Sequence, residues 1–309
     1  MVARRARTLF GTSLGWSLGL ALSAGIVAVV VLELCAAPAL GATPTPPSMQ
    51  PGVGGAVQRI DDYGAATEAA KATNAMLLVS VEPTTGNPND IAGSRLERAD
   101  LQQRFAASGA PWIFCRIGID AGGAALVADP GLTEMRRGPG VFVVDHTASP
   151  YAGRIVSILP RTPGKYYSFS PAHIDELASL PTASLTQRSL ILAVRIHPEN
   201  PQSTNGTCDP SLCAAAEEHS QHQASIRRQG HHGWDSRSQR IAAGRGGAAE
   251  VCAESWPDQD LLDSCVDCVA SWRQSSGHWN AVRSPQAAYG YDLRRGTNGI
   301  WYATGIFVK

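Results

Sequence analysis

Lysine is nearly missing from this 309-residue chain: Lys71, Lys165 and Lys309 are the only three among 26 basic residues. Such a bias reads as genome composition rather than arginine-specific binding. Neither charge sign is in excess, because 26 acidic residues balance the basic ones. No global field therefore recruits nucleic acid or an anionic membrane. Charged residues make up only 17% and apolar ones 44%, which excludes a mainly disordered protein and leaves enough material for sizeable cores. Past residue 56 there is no Gly-x-Ser-x-Gly elbow, P-loop, His-Glu-x-x-His or Rossmann fingerprint, so the common hydrolase and nucleotide signals are absent. What is plentiful is glycine, 31 residues, and proline, 20, so long irregular connections are expected.

The N-terminus carries Arg4, Arg5 and Arg7 ahead of an uncharged stretch from Thr8 to Leu32. A basic start, an apolar run and small residues around Ala37 to Ala42 suit a secretory signal. The uncharged run is also long enough to cross about 30 Å of hydrocarbon, so a single-span membrane anchor fits equally well. Cys35 follows Glu33, a poor context for lipidation. Residues 1–42 are thus expected to be a signal peptide or anchor. Either outcome makes the remainder secreted or membrane-anchored on the extracytoplasmic side. Residues 43–56, TPTPPSMQPGVGGA, read as a Pro/Gly-rich tether.

Two folded units are expected beyond it, residues 57–180 and 187–309, separated by a proline and small polar residues between Leu180 and Thr186. Each is close to charge-neutral. The first alternates helix and strand signals: a helix over Asp61–Thr73, a buried strand over Met76–Val81, a helix over Leu96–Ala107, and a strand over Trp112–Ile117. An antiparallel pair over Val141–Val144 and Arg154–Leu159 and a closing helix over Ala172–Leu180 complete a mixed sheet with helices, an α/β or α+β class. Lys71-Ala72-Thr73-Asn74 leading into Met76, and Gly138-Pro139-Gly140 ahead of Val141, give this unit a resemblance to the thioredoxin-like fold. The resemblance implies a cis bond before Pro139. Redox members of that fold carry Cys-x-x-Cys after the first central strand. This chain reads Glu82-Pro83-Thr84-Thr85-Gly86-Asn87-Pro88 there, so dithiol exchange is not expected. Cys115, inside an apolar strand, reads as a small buried hydrophobe.

The second unit opens a helix at Asp209-Pro210, with Asp209 as N-cap and Pro210 in the first turn, running to about Arg228. Gly230-His231-His232-Gly233-Trp234 stops it. A second long helix covers Asp260–Arg273 and ends at Ser275-Ser276-Gly277-His278-Trp279-Asn280. Tyr289-Gly290-Tyr291 and Ile300–Val308 read as paired strands. In this order, Asp209-Pro210-Ser211-Leu212, His231, Ala249-Glu250-Val251, Ser271–Asn280 and Tyr302–Phe307 resemble the CAP superfamily. These are the cysteine-rich secretory, antigen 5 and pathogenesis-related proteins. The resemblance implies an α-β-α sandwich with a central cleft in which histidines and acidic residues can hold a divalent cation.

Neutral imidazole and carboxylate suit zinc or a similar metal. His231, Glu250 and His278 are the candidate cleft and metal residues that the resemblance implies. His232 is the alternate if the register slips by one, and Glu254 the alternate acid from one helical turn along, because Ala288 stands where the family often has a second acid. No catalytic residue and no certain cofactor is assigned. His219 and His222, three residues apart, share a helix face that could clamp a metal but reads in the first place as a solvated polar face, and His146, His173 and His197 read as turn or surface residues. Five cysteines fall in this unit, and export makes disulfides the default. Cys208 can pair with Cys213, and Cys252 with Cys265 or Cys268. A zinc site from Cys208, Cys213, Cys265 and Cys268 is the less favoured use. The expected function is non-enzymatic binding of a protein, lipid or envelope component, with no nucleic acid as partner. The alternative is metal-assisted hydrolysis by His231, Glu250 and His278.

Overall fold

The computed structural model describes residues 57–309 apart from 85–86, 88–89 and 244–245. The segment expected to be a signal peptide or anchor (1–42), with Cys35, and the expected tether (43–56) lie outside the described residues, as does part of the 82–88 segment. Among the described residues no helix is long and apolar enough to cross a membrane.

Among the described residues nine strands form two sheets, so the chain is a mixed α/β protein. The first sheet has the order β1-β3-β2-β4-β5, built from β1 (Gln58–Arg59), β2 (Met76–Glu82), β3 (Trp112–Gly118), β4 (Gly140–Asp145) and β5 (Arg154–Pro160). β1, β3 and β2 are parallel, whereas β4 and β5 run antiparallel. The helices of this part are α1 (Tyr63–Thr73), α2 (Ile91–Leu96), α3 (Ala99–Ala106), α4 (Gly123–Val127) and α5 (Ala172–Leu177), with 3₁₀ turns at Ile119–Ala121 and Pro130–Met135. β2 is buried along its whole length and separates two cores by simple alternation. Leu77, Val79 and Val81 meet Ala66 and Ala70 of α1 together with Leu132, Met135 and Phe142. Met76 and Leu78 face the other way, toward Leu96, Leu101 and Phe105.

Two expectations change here, and one strand is new. The helix expected over Leu96–Ala107 starts only at Ala99, as α3, because Leu96 closes α2 and Arg98 is extended (φ −69, ψ 129) as the N-cap of α3. The short β1, with only two residues and no periodic signal, was not legible. All described peptide bonds are trans, so the cis bond before Pro139 is absent. Gly140 enters β4 directly instead, so closely packed that a Cβ would lie 2.6 Å from the Leu159 carbonyl and the Met135 sulfur.

α6 (Leu185–Arg195) follows the proline-containing break, its start fixed by a capping box between Ser184 and Gln187. The remaining elements are β6 (Thr207–Cys208), α7 (Pro210–Ile226), α8 (Trp234–Ala242), β7 (Ala248–Glu254), α9 (Leu261–Gln274), α10 (Ser276–Arg283), β8 (Ala288–Arg295) and β9 (Trp301–Val308). The second sheet has the order β6-β8-β9-β7, antiparallel except for β6 against β8. α7 starts as expected: Asp209 caps Ser211 N at 2.7 Å and Pro210 occupies the first turn.

The two sides of this sheet differ in chemistry. Odd-numbered residues, Val251, Ala253, Tyr289, Tyr291, Leu293, Ala303 and Phe307, join α6, α9 and the fully buried Trp272 in an apolar core. That core continues to the Leu78 side of the first sheet, with α6 lying between β5 and β8. Even-numbered residues face α7. There Leu212 and Ala216 meet Ile306 and Val308, but toward the C-terminal half of α7 the layer turns polar. Ser220 donates to Asp292 (2.6 Å) and Gln223 to Thr304 (3.0 Å). α7 lies directly on β8 at Gly290, where a Cβ would sit 2.2 Å from the Leu212 backbone.

Candidate functional site

β7 is an edge strand, and its alternation decides what it offers. Glu250 and Cys252 point to the α7 side, Val251 and Ala253 to the apolar core. Over Glu250 passes the connection from α7 to α8, which is tied down at Gly230. Gly230 donates its N–H to Gln223 Oε1 (3.0 Å), and its carbonyl lies 2.8 Å from His219 Nε2. The next residue, His231, therefore hangs over the strand.

His231 Nδ1 lies 3.0 Å from Glu250 Oε1. Its other nitrogen, Nε2, faces His278 Nε2 at 3.4 Å, brought in from α10. Cys252 Sγ is 3.7 Å from both His231 Nδ1 and Glu250 Oε1. His219 Nε2 is 3.7 Å from the same carboxylate oxygen. Arg237 of α8 binds the opposite oxygen, Oε2, through both Nε and Nη2. One oxygen of Glu250 is thus taken by the guanidinium and the other is left to the imidazoles and the thiol. Burial opposes ionisation of Glu250, but the hydrogen bond from His231 and the charges of His219 and Arg237 outweigh it, and its pKa ends below the usual value. Burial lowers the pKa of His219 and of His278, and His231 lowers His278 further. Burial, reinforced by Glu250, pushes the Cys252 thiol well up, so the free thiol stays protonated.

The structure brings together His231, Glu250 and His278, but with Glu250 on the Nδ1 side of His231 and His278 on the Nε2 side. The alternates do not join them. His232 turns its ring to His219 and His222, with centroids 6.4 and 5.8 Å away. Glu254 is not one helical turn on: it is the exposed last residue of a strand. His219, expected on a solvated face, is 2% exposed, while its helix neighbour His222 is exposed. Two residues were missed altogether as site members, Arg237 and Cys252. The signal for Cys252 was the two-residue spacing from Glu250, had 248–254 been read as a strand. For His219 it was the 3–4 spacing of Leu212, Ala216, His219 and Gln223, a buried helix stripe.

The cysteines separate by side as well. Cys208 Sγ and Cys213 Sγ are 3.4 Å apart. Cys252 points to the α7 side of the sheet, whereas Cys265 and Cys268 lie in the apolar core beyond the other side, so the pairing of Cys252 with either is not formed. Cys208, Cys213, Cys265 and Cys268 are likewise not gathered as a group of metal ligands among the described residues. Among the described residues the one compact group of possible metal ligands is His219, Glu250 and Cys252, with ligand atoms within 4.8 Å of one another. Cys115 is fully buried, and burial pushes its thiol up to about 12, which leaves no nucleophile in the first sheet's centre.

A cavity of about 410 Å³ opens beside this cluster's own elements. It is lined by Ala248 and Ala249 of β7, Asn280, Ala281 and Ser284 of α10, and Phe307 of β9. No family model matches the chain, and no curated protein matches it.

Proposed function

We propose that this is an extracytoplasmic, non-enzymatic binding protein, a CAP-like domain carried on a thioredoxin-like scaffold without redox chemistry, whose ligand is a lipid or lipid-like envelope component. The scaffold reading is supported by the order β1-β3-β2-β4-β5 with its last two strands antiparallel, and by the lack of a reactive thiol pair in the first sheet. The CAP-like reading is supported by helices on both sides of the second sheet and by the meeting of His231, Glu250 and His278.

The observation that carries the binding function is the 410 Å³ cavity between α10 and the β7 edge, a volume in the range of small-molecule sites, lined by alanines, glycines and Phe307 with polar groups from Asn280, Ser284, Gln286 and Lys309. Ala281 lies one helical turn from His278, so the apolar chain and the polar end of an amphiphile would meet different parts of the same helix. Metal-assisted hydrolysis with Glu250 as base is less favoured. Both of its oxygens are engaged and its proton affinity is lowered, whereas a general base at neutral pH needs a free oxygen and a pKa near 7.

The test is titration of the delipidated protein with a fluorescent fatty acid. Saturable binding is expected, and Ala281→Trp, which fills the cavity, is expected to abolish it with circular dichroism unchanged. Failure of the fatty acid to saturate, or indifference to Ala281→Trp, overturns the reading.

A further inference from the structure

The resemblance to CAP proteins implies imidazole and carboxylate as the donors of the cleft. This chain adds a thiol to them, and the positions of the donor atoms are specific. Around a tetrahedral zinc ion with Zn–S of about 2.3 Å and Zn–N or Zn–O of about 2.05 Å, sulfur lies about 3.5 Å from its neighbours, and nitrogen lies about 3.3 Å from oxygen. Cys252 Sγ stands 3.7 Å from His231 Nδ1 and 3.7 Å from Glu250 Oε1, and those two atoms are 3.0 Å apart. His219 Nε2 is 3.7 Å from Glu250 Oε1. Each of these four separations is within about 0.4 Å of the tetrahedral value, and His219 lies within 4.8 Å of Cys252, so it has to move inward to complete the site.

We propose that Cys252, His231 through Nδ1, Glu250 through Oε1, and His219 form a soft-metal site for zinc or a cation of similar thiolate affinity. The site goes beyond the lipid-binding reading and does not depend on it. It is also distinct from a metal held between the Nε2 atoms of His231 and His278, because the proposed ion sits on the opposite nitrogen of His231. The surrounding groups fit. Arg237 holds Glu250 by Oε2 alone, which leaves Oε1 as a single, oriented donor. His278 Nε2 is placed to accept a hydrogen bond from His231 Nε2–H, the second-layer contact that fixes the tautomer of a ligating histidine.

Binding requires a defined proton balance. In the metal-free protein His231 donates Nδ1–H to Glu250. On coordination, His231 carries its proton on Nε2 instead, donating it to His278, and stays neutral. His219 exchanges the Gly230 carbonyl for the metal with its remaining proton on Nδ1. Cys252 releases its thiol proton to solvent, so one proton leaves per divalent ion bound.

The experiment uses the full chain, reduced and stripped with chelator, and titrated with Co²⁺ and then Zn²⁺. The expected result is a one-to-one complex with an intense near-ultraviolet thiolate-to-cobalt charge-transfer band and the strong visible bands of tetrahedral cobalt, displaced by zinc. One proton should be released per ion in weakly buffered solution. Cys252→Ser should lose the band and weaken zinc binding at least ~100-fold, whereas Cys208→Ser should keep both. The unmodified protein decides the matter even if a variant fails to fold. No cobalt binding, cobalt binding without a thiolate band, or a band that vanishes in Cys208→Ser would each overturn the proposal. A thiolate-free complex lost in His278→Ala would place the metal between the two Nε2 atoms instead.

Discussion

Each sheet buries one glutamate on a strand and pairs it with an arginine, yet the two pairs leave opposite chemical remainders. In the first sheet Arg116 grips both oxygens of Glu82, Nε on Oε1 and Nη2 on Oε2, and a Cβ at Gly93 would collide with the pair. In the second sheet both Arg237 nitrogens fall on Oε2 of Glu250. A two-point grip uses up the carboxylate, so the Glu82 pair is a closed structural clamp. A grip on one oxygen neutralises the charge but leaves the other to neighbours, and here the neighbours are two imidazoles and a thiol. What separates an inert buried ion pair from a site is the geometry of the guanidinium, not the residue types.

The sharpest way to break this comparison is to remove each arginine in turn. Arg116→Met leaves Glu82 buried without its two-point partner and is expected to cost about 3–5 kcal/mol in urea unfolding. Arg237→Met should cost less, about 1.5–3 kcal/mol, because Glu250 keeps His231. Equal losses would show that the contact of His231 with the second oxygen of Glu250 is energetically irrelevant.

A third buried carboxylate sharpens the contrast because it is held by backbone. Glu134, in the 3₁₀ turn of the first part, accepts the Leu261 N–H at the start of α9, and burial raises its pKa from 4.5 to about 7. Its folded-state pKa exceeds its unfolded one, so the folded state binds the extra proton. Stability should be greatest below pH 4.5 and fall as pH rises toward about 7, by about 3 kcal/mol for this group. Glu134→Gln should remove that slope in urea midpoints measured across the window; an unchanged slope would assign the dependence elsewhere.

The smallest effect concerns the thiols. Hydrogen bonding from Cys213 lowers the pKa of Cys208, against burial, and the two sulfurs already lie 3.4 Å apart. Mild oxidation should join them, since an S–S bond of about 2.05 Å needs little movement, and so short a loop should gain about 2 kcal/mol. Native Cys115 should remain unmodified by the same treatment, as mass spectrometry of the digested protein would record.

Much of the fold was legible because its signals are local. Asp209-Pro210 announced α7, the apolar runs at Met76 and Trp112 gave central strands, and Tyr289 to Tyr291 with Ile300 to Val308 gave a strand pair. Elements that depend on distant partners were not legible: β1 exists only because β3 offers it an edge, and α2 and α3 separate at Arg98 without glycine or proline to mark it. The same holds for the site. His231, Glu250 and His278 could be named from their surroundings in sequence. Arg237 could not, because it lies on a polar helix and is 8% exposed only through its fit against Glu250. Cys252 was expected in a disulfide because no strand was read over 248–254, and without the strand's alternation the direction of the thiol is hidden.

Gly290 makes α7 a rod clamped at one end. With no side chain to hold the helix off the sheet, the Leu212 and Cys213 backbone rests against β8, and His219 stands seven residues further along, about 10 Å down the axis. A methyl group at 290 would act as a shim under that clamp, and a rigid helix passes a tilt on to its far end. The alignment of His219 over Glu250 is therefore set by a residue that touches neither, and tolerance to mutation at position 290 would measure how finely that alignment has to be kept.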